Sequence, residues 1–236
     1  MMIDIHTHVL PGIDDGAKDW DTCLEMLKKS AENGVEKVIA TPHFLPWRQT
    51  TTPKEIMHLC SEVQKKLLRK HGISMDIYCG NEIYYSMDAI KNLREGKMLT
   101  LAGSKYVLIE FEPRSSYQVL CRATKEFRDA GYVPIVAHME RYDCLRQTSK
   151  VQDLRDMGAL FQMNVEALQG GFLDRDSQWS KKCLLQNQVD FLASDMHGLR
   201  HRVPLADEQL QWVRKKLNPQ YQKALLYRNA EKILKV

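Results

Sequence analysis

The sequence lacks the patterns that mark several specialised classes of protein. No apolar run is long enough to cross a bilayer, and the N-terminus has no positive segment followed by an apolar run. Neither a membrane span nor a signal peptide is therefore expected. The basic residues are spread out and form no block interleaved with aromatics, which argues against nucleic acid as a partner. No repeat or low-complexity linker interrupts the 236 residues, so we expect one domain over residues 1–236.

Paired cysteines are also missing. The six cysteines show no paired spacing, which favours reduced thiols and a cytoplasmic location. A cysteine-dependent phosphatase needs a nucleophilic cysteine followed, six positions on, by an arginine that closes a phosphate loop. None of the cysteines has an arginine at that spacing, so a thiolate intermediate is not expected.

The sequence does contain a strand followed by a helix, repeated along the chain. Runs rich in β-branched and aromatic residues predict strands at 2–6, 35–43, 75–82, 106–111, 132–138, 159–164 and 189–195. Helical periodicity predicts helices at 53–72, 117–131, near 151–157, around 178–187, and in the tail from Leu205, which is broken at Pro219.

Alternating strands and helices predict a parallel α/β architecture. The sequence has no glycine-rich phosphate loop, which favours a closed or nearly closed barrel of seven strands over a doubly wound sheet. In such barrels the active site lies at the carboxyl ends of the strands. The residues at those ends are therefore the candidates for function.

Histidines and carboxylates stand at nearly all of these strand ends. Side chains two apart on a strand point the same way, so His6 and His8 can converge, and the loop with Asp14 and Asp15 could fold back over them. The complete set of candidate ligands is His6, His8, Asp15, His43, Glu82, Glu110, His138, Asp195 and His197. Taken singly, His43 could be a turn residue, Glu110 a surface acid and Asp195 a helix cap. The joint pattern favours a metal site.

Nine ligands are too many for one ion, so two or three divalent ions are expected, with Glu82 as the bridging candidate. Mixed imidazole and carboxylate ligands suit Mn, Fe or Zn better than Mg or Ca. No cysteine belongs to the set, which argues against a structural zinc site. Clustered divalent ions are typical of phosphoester chemistry, because they lower the pKa of a bridging water and stabilise the attacking and leaving oxygens.

Five motifs occur in matching order between residue 2 and about Arg202: DIHTH, ATPH, GNE, AHMERY and SDMHG. Together they resemble the PHP (polymerase and histidinol phosphatase) superfamily, and more closely its bacterial protein-tyrosine phosphatases of the capsular and exopolysaccharide biosynthesis type. The resemblance implies a distorted seven-stranded (β/α)7 TIM-like barrel with a trinuclear, usually manganese-dependent site. By motif, the nine candidate residues fall on the family's ligand positions.

The resemblance also implies two phosphate-binding arginines, Arg141 and Arg202, with catalytic and substrate-binding roles. A guanidinium fork matches phosphate geometry. The alternative for Arg141 is a salt bridge with Glu140 or Asp143, and Arg200 competes with Arg202. The family often has Pro where Met139 stands and Asn where Gly198 stands, which affects the substrate pocket more than the ligands. Aromatic walls for a substrate ring could come from Phe44, Trp47, Tyr84, Tyr85, Tyr117 or Tyr142.

We therefore predict a metal-dependent phosphomonoester hydrolase of the protein-tyrosine phosphatase type. Its expected substrate is the phosphotyrosine tail of a bacterial tyrosine kinase that controls capsular or exopolysaccharide synthesis. HVLPGIDDG and ERY resemble this branch most closely. The alternatives are a small-molecule phosphatase, such as a histidinol-phosphatase, and a non-catalytic metal-bound regulatory module. The intact ligand set and both arginines argue against the regulatory module.

Overall fold

The structure, a computed structural model, describes residues 2–48, 51–171, 173–205 and 207–235, leaving out the side chains of Thr148 and Asp207. Within these ranges every strand pairing is parallel. The strands are β1 (Met2–Thr7), β2 (Val35–Ala40), β3 (His43–Phe44), β4 (Asp76–Cys79), β5 (Glu82–Tyr84), β6 (Tyr106–Glu110), β7 (Val133–Val136), β8 (Leu160–Asn164) and β9 (Phe191–Ala193).

Helices follow most of the strands. They are α1 (Trp20–Glu32), α2 (Pro53–His71), α3 (Ala89–Arg94), α4 (Tyr117–Asp129), α5 (Thr148–Asp156), α6 (Arg175–Leu185), α7 (Asp207–Lys216), α8 (Pro219–Lys223) and α9 (Asn229–Leu234). A turn of π-helix, Ala224–Arg228, joins α8 to α9. The predicted helices are confirmed with small shifts in their ends, whereas α1 and α3 were not predicted. Among the described residues, no helix has both the length and the apolar character needed to span a bilayer.

Helix α2 shows how local sequence sets an element's ends. Thr52 and Glu55 form a capping box, in which each side chain accepts a hydrogen bond from the other's backbone N–H. Pro53 occupies the first helical turn, where its missing N–H costs nothing. Gly72 ends the helix in the left-handed conformation, with φ 67°. Both ends of α2 therefore agree with the prediction from sequence.

The strands form a three-stranded sheet in the order β1-β2-β4 and a six-stranded sheet in the order β3-β5-β6-β7-β8-β9. The predicted strands at 35–43 and 75–82 are each divided in two. Thr41-Pro42 interrupts the first, because proline has no N–H to donate, and Gly80-Asn81 interrupts the second. Backbone bonds also join β1 to the segment after β9, from Asp195 N to His6 O at 2.9 Å and from His8 N to Met196 O at 3.0 Å.

The helices pack against the sheets, and the large apolar core lies between helices and sheets. A second, smaller cluster includes Ile3 and Ile5 of β1, Leu108 of β6 and Ile135 of β7, together with Ile233 of α9. All five side chains are 2% exposed or less. This packing fixes the strands that carry the candidate ligands, so the polar strand ends stand on a rigid base.

Candidate metal centre

The parallel strands bring all nine candidate ligands to one location. Each of them has a polar atom within 3.4 Å of a polar atom of another member. His6 and His8 come from β1 and its end, His43 begins β3, Glu82 begins β5 and Glu110 ends β6. Residue 138 follows β7, residues 195 and 197 follow β9, and residue 15 lies in the loop after β1. The strand register therefore assembles the set, as predicted.

Glu82 lies at the middle of the cluster and is 1% exposed. Its Oε1 is 2.8 Å from His138 Nε2 and 3.3 Å from His6 Nε2. Its Oε2 is 3.0 Å from His43 Nδ1 and 3.1 Å from His8 Nε2. Each carboxylate oxygen thus contacts imidazoles from two different strand ends. This is the geometry expected of a bridging carboxylate.

Three overlapping groups of donor atoms could each surround one ion. Within each group the donor atoms lie within 4.8 Å of one another. The groups are His8, Asp15, His43 and His197; His6, His8 and Asp195; and His43, Glu82 and Glu110. His138 adjoins the third group, with Nε2 3.4 Å from Glu110 Oε1. The arrangement therefore offers donors for two or three ions.

Unpartnered polar atoms test whether these residues fit metal ions. His43 Nδ1, Glu82 Oε2 and His197 Nε2 are buried and make no hydrogen bond. His43 Nδ1 and Glu82 Oε2 face each other at 3.0 Å without hydrogen-bond geometry. A buried polar atom left without a partner costs about 1–3 kcal/mol. A divalent cation would give all three atoms a ligand bond, so the donor set fits such ions.

The carboxylates of the cluster attract positive charge, as the pKa values of their neighbours show. Burial alone lowers the pKa of the His8 imidazole, but the negative charges of Asp14 and Glu82 raise it to about 10. Burial also lowers the pKa of the His43 imidazole, but its contacts with the carboxylates of Asp15 and Glu82 outweigh burial and raise the pKa to about 11. The partner imidazoles in turn hold the pKa of Asp15 well below its usual range. Without cations, the carboxylates therefore favour protonated His8 and His43, whereas burial lowers the pKa of His197.

Two residues of β8 hold candidate ligands in place and are not candidate ligands themselves. Gln162 Oε1 accepts hydrogen bonds from the backbone N–H of His138 at 2.7 Å and from His6 Nδ1 at 3.0 Å. Gln162 Nε2 donates to Asn164 Oδ1 at 2.8 Å, and Asn164 Nδ2 donates to Asp195 Oδ2 at 2.9 Å. The sequence analysis missed both residues. Two buried amides spaced two apart on a core strand were the available signal.

The loop after β1 folds back over the strand end, as the sequence suggested. Asp14 Oδ2 accepts a hydrogen bond from His8 Nδ1 at 2.8 Å, and Asp14 Oδ1 accepts one from Gly16 N at 2.9 Å. Gly16 permits this close approach, because an added Cβ would lie 2.0 Å from His8 O. Asp14 therefore orients His8, a role that the sequence analysis did not assign.

The two predicted arginines lie beside the cluster, and both contact Asp195. Arg141 Nη2 donates to Asp195 Oδ2 at 2.7 Å, rather than pairing with Glu140 or Asp143. Arg202 Nη1 is 3.8 Å from the same oxygen, and its Nη2 is 3.3 Å from Asp15 Oδ2. Both side chains are about one third exposed, so their guanidinium groups reach from the ligands to solvent. The competing residue Arg200 is exposed.

Backbone strain is concentrated at this site. Five described residues other than glycine have a positive φ, and three of them are candidate site residues: His138 at 29°, Asp195 at 52° and Arg202 at 44°. Such conformations cost of order 1–3 kcal/mol each and persist where the surroundings impose them. The strain is consistent with a functional site at these strand ends.

Comparison with known proteins gives a match over nearly the whole chain. The family model described as "Capsular polysaccharide synthesis, CpsB/CapC" matches residues 2–235. The tyrosine-protein phosphatase CpsB of Streptococcus agalactiae is 31% identical over 240 residues, which cover 99% of this chain and 98% of that protein.

Solved structures agree with the sequence match. A chain from the crystal structures of YwqE from Bacillus subtilis and CpsB from Streptococcus pneumoniae, described as metal-dependent tyrosine phosphatases, is similar with a TM-score of 0.89. That chain is 30% identical, and the match covers 99% of this chain and 94% of that chain. An organophosphorus hydrolase variant from Deinococcus radiodurans is similar with a TM-score of 0.62 at 13% identity, and the match covers 99% of this chain and 92% of that chain. At this identity the similarity shows a shared fold and nothing about function.

Proposed function

This chain belongs to the CpsB/CapC family of capsular polysaccharide synthesis proteins, and from that premise we propose that it is a metal-dependent protein-tyrosine phosphatase. The reaction is hydrolysis of a phosphate monoester. The observation that carries the proposal is the convergence of nine histidine and carboxylate side chains around Glu82. Relatives that bear the name tyrosine-protein phosphatase are about 30% identical over the full chain.

The nine side chains gathered at the strand ends are proposed as the metal ligands, with Glu82 as the bridge. Two or three divalent ions are proposed, with manganese as the metal and Fe or Zn as alternatives, because the donor set mixes imidazole and carboxylate groups. Bound ions of this kind lower the pKa of a nucleophilic water and stabilise charge on the phosphoryl oxygens. The chain's own contribution is to fix the donors, through Gln162, Asn164 and Asp14, before any ion binds.

Arg141 and Arg202 are proposed to bind the phosphoryl oxygens. Their guanidinium groups both lie beside one carboxylate oxygen, Asp195 Oδ2, and extend from it toward solvent. A phosphate entering from solvent would meet both forks, and charge-assisted bonds from Arg are suited to its oxygens. Because charge on these oxygens grows in the transition state, the two arginines act catalytically as well as in substrate binding.

The proposed substrate is a phosphotyrosine-bearing protein, and specifically the phosphotyrosine tail of a bacterial tyrosine kinase that controls capsular or exopolysaccharide synthesis. The family description and the relatives' names support the pathway and the reaction. A cytoplasmic location is proposed from the six cysteines, all of which are free thiols.

We also infer that residues 1–236 form one domain built on a distorted seven-stranded barrel. Backbone bonds from Gly80 N to Ala40 O and from Glu82 N to Pro42 O continue the pairing across both strand interruptions. Residues 35–44 and 76–84 therefore each act as one strand, and the bonds between β1 and the segment after β9 join the first strand to the last.

The experiment is hydrolysis of a phosphotyrosyl peptide and of histidinol phosphate, measured side by side with added Mn2+. We expect the peptide to be the better substrate, with activity abolished by a chelator and restored by Mn2+. Hydrolysis of histidinol phosphate alone would replace the proposed function with a small-molecule phosphatase. The absence of turnover on both substrates, with metal bound, would favour the regulatory module.

A further inference from the structure

A cavity of about 350 Å³ opens directly beside the proposed metal ligands. Its polar lining consists of His43, Glu110, Arg48 and the loop carboxylates Asp14 and Asp15, and its apolar lining of Ile13, Leu45, Trp47 and Tyr84. A ligand placed here would meet the donor cluster at one end and aromatic surface at the other. The cavity thus combines polar groups suited to a phosphate with apolar surface suited to an organic group.

Strand register places Tyr84 at a fixed distance from the ligands. Tyr84 ends β5, two residues after Glu82, and its Cα pairs with that of Glu110 on β6. Side chains two apart on a strand point to the same face, so Tyr84 follows Glu82 on the ligand face. The phenol is further anchored by a hydrogen bond from its hydroxyl to Glu112 Oε2 at 3.0 Å. The ring is therefore held by a rigid element.

Trp47 completes the aromatic surface. Its ring centroid lies 4.5 Å from that of Tyr84, with an interplanar angle of 82°, which is an edge-to-face contact. The indole is nevertheless 64% exposed. Most of its apolar surface is therefore open to solvent beside the cavity, an arrangement that contributes little to the core and leaves surface for a ligand.

The other aromatic candidates have different surroundings. Tyr142 is fully buried, and its hydroxyl accepts a hydrogen bond from Phe111 N. Tyr85 and Tyr117 donate to Glu126 and to the Lys150 carbonyl, outside the cavity. Phe44 packs against the large apolar core. Only Trp47 and Tyr84, among these described residues, line the cavity beside the ligands.

We propose that Trp47 and Tyr84 form a wall that binds the aromatic ring of the substrate and restricts the site to aryl phosphomonoesters. This inference rests on the proposed function and deepens it, since it names the residues that distinguish phosphotyrosine from alkyl phosphates. The ring of an aryl phosphate packs against the exposed indole while its phosphate reaches the ligands and arginines. An alkyl phosphate reaches the same groups but leaves the indole in water.

The test measures binding rather than turnover. Phenylphosphonate and butylphosphonate are titrated calorimetrically into the Mn2+-loaded protein. We expect the wild-type protein to bind phenylphosphonate about tenfold more tightly, as an aromatic contact of this kind provides. Trp47→Ala and Tyr84→Leu are each expected to weaken the binding of phenylphosphonate alone, which brings the ratio of the two affinities near one. Trp47→Phe, which keeps a ring, should retain most of the preference.

Leu185→Ala is the matched control, because it removes an exposed apolar side chain on α6. It should leave both affinities unchanged. Equal affinity of the wild-type protein for the two phosphonates, or a preference that survives both Trp47→Ala and Tyr84→Leu, overturns the inference. Hydrolysis of a phosphotyrosyl peptide by the wild-type protein is scored separately. A protein that hydrolyses the peptide without the phosphonate preference refutes the aromatic wall alone, and the reverse result refutes the proposed function alone.

Discussion

Gln162 fixes the tautomer of His6. The backbone N–H of His138 can only donate, so the Gln162 side-chain atom 2.7 Å from it is the oxygen. The same oxygen lies 3.0 Å from His6 Nδ1, which must therefore carry the proton and donate. In the neutral imidazole this assigns the lone pair to Nε2, which faces Glu82 Oε1 and Asp195 Oδ1, each at 3.3 Å. A residue of β8 thus prepares a ligand on β1 for a cation.

Gln162→Leu is expected to weaken Mn2+ binding by about 10–100-fold, as loss of outer-shell partners does elsewhere. The change also leaves the N–H groups of His6 and His138 without their acceptor. Isothermal titration with Mn2+ gives the affinity directly. Gln152→Leu is the control, because Gln152 is exposed on α5 and bonds only to Asp156 on its own helix. Equal affinities for the two variants would remove the positioning role of Gln162.

Arg141→Ala is expected to lower kcat by about 10²–10³-fold, since it removes a charged donor to the developing phosphoryl charge. Metal content should stay near that of the wild-type protein, because the guanidinium contacts Asp195 Oδ2 but is not a ligand. Phosphotyrosyl-peptide kinetics and elemental analysis together separate the two effects. Arg69→Ala, an exposed arginine on α2, should change neither quantity. Full turnover in Arg141→Ala would show that the phosphate binds elsewhere.

Metal binding is expected to release protons at neutral pH. In the metal-free protein the pKa of His8 is raised to about 10 and that of His43 to about 11, so both imidazoles carry a proton they must lose. Because these pKa values are raised, the competing proton is bound throughout the neutral range, and Mn2+ affinity should fall further as pH decreases. Calorimetry in buffers of different ionisation enthalpy measures the released protons. A binding enthalpy that is independent of the buffer would contradict this account.

Thiol alkylation is expected to leave activity unchanged. Burial raises the pKa of Cys23 and of Cys183 to about 12, so neither forms an appreciable thiolate at pH 8. No cysteine belongs to the candidate metal groups of the described residues. Iodoacetamide treatment at pH 8, followed by mass spectrometry and assay, should find these two thiols intact and turnover retained. Inactivation that tracks modification of a single cysteine would argue for thiol chemistry.

Gly16→Ala is expected to disturb the loop over His8. The added Cβ would lie 2.0 Å from the His8 carbonyl oxygen, a backbone atom that cannot move without shifting β1. We expect a loss of about 1–3 kcal/mol in the free energy of unfolding, together with weaker metal binding. Gly171→Ala, where an added Cβ meets nothing within 4 Å, is the control for chemical denaturation. A stability equal to that of this control would mean that the loop adapts freely.

The convergence of the candidate ligands was predictable because strand geometry aligns them. His6 and His8 lie two apart at the end of β1, and Glu110 ends β6. His43 and Glu82 lie just beyond the ends of β2 and β4, where they begin β3 and β5, so the parallel strands bring them to the same edge. The division of the second and third predicted strands was not foreseen. Thr41-Pro42 and Gly80-Asn81 contain poor strand formers, but the strand-like residues on either side of each pair predicted one continuous strand, and the pairing in the sheets shows where each strand is divided.

The positioning residues were missed for a chemical reason. Gln162 and Asn164 carry amides, which are poor ligands for the expected ions, so a search for imidazole and carboxylate groups passes over them. Asp14 was placed in the loop, but its hydrogen bond to His8 depends on a turn that Gly16 makes possible. The spacing of the two amides on a core strand marks them as unusual, but their contacts from β8 to β1 depend on the tertiary pairing.

The central claim is that these side chains gather around a cluster of cations. The most direct test is anomalous diffraction from crystals of the protein grown with Mn2+. The account predicts two or three anomalous peaks around Glu82, each within bonding distance of histidine nitrogens and carboxylate oxygens from at least two strand ends. Data of adequate resolution with no anomalous peak among these residues would contradict it.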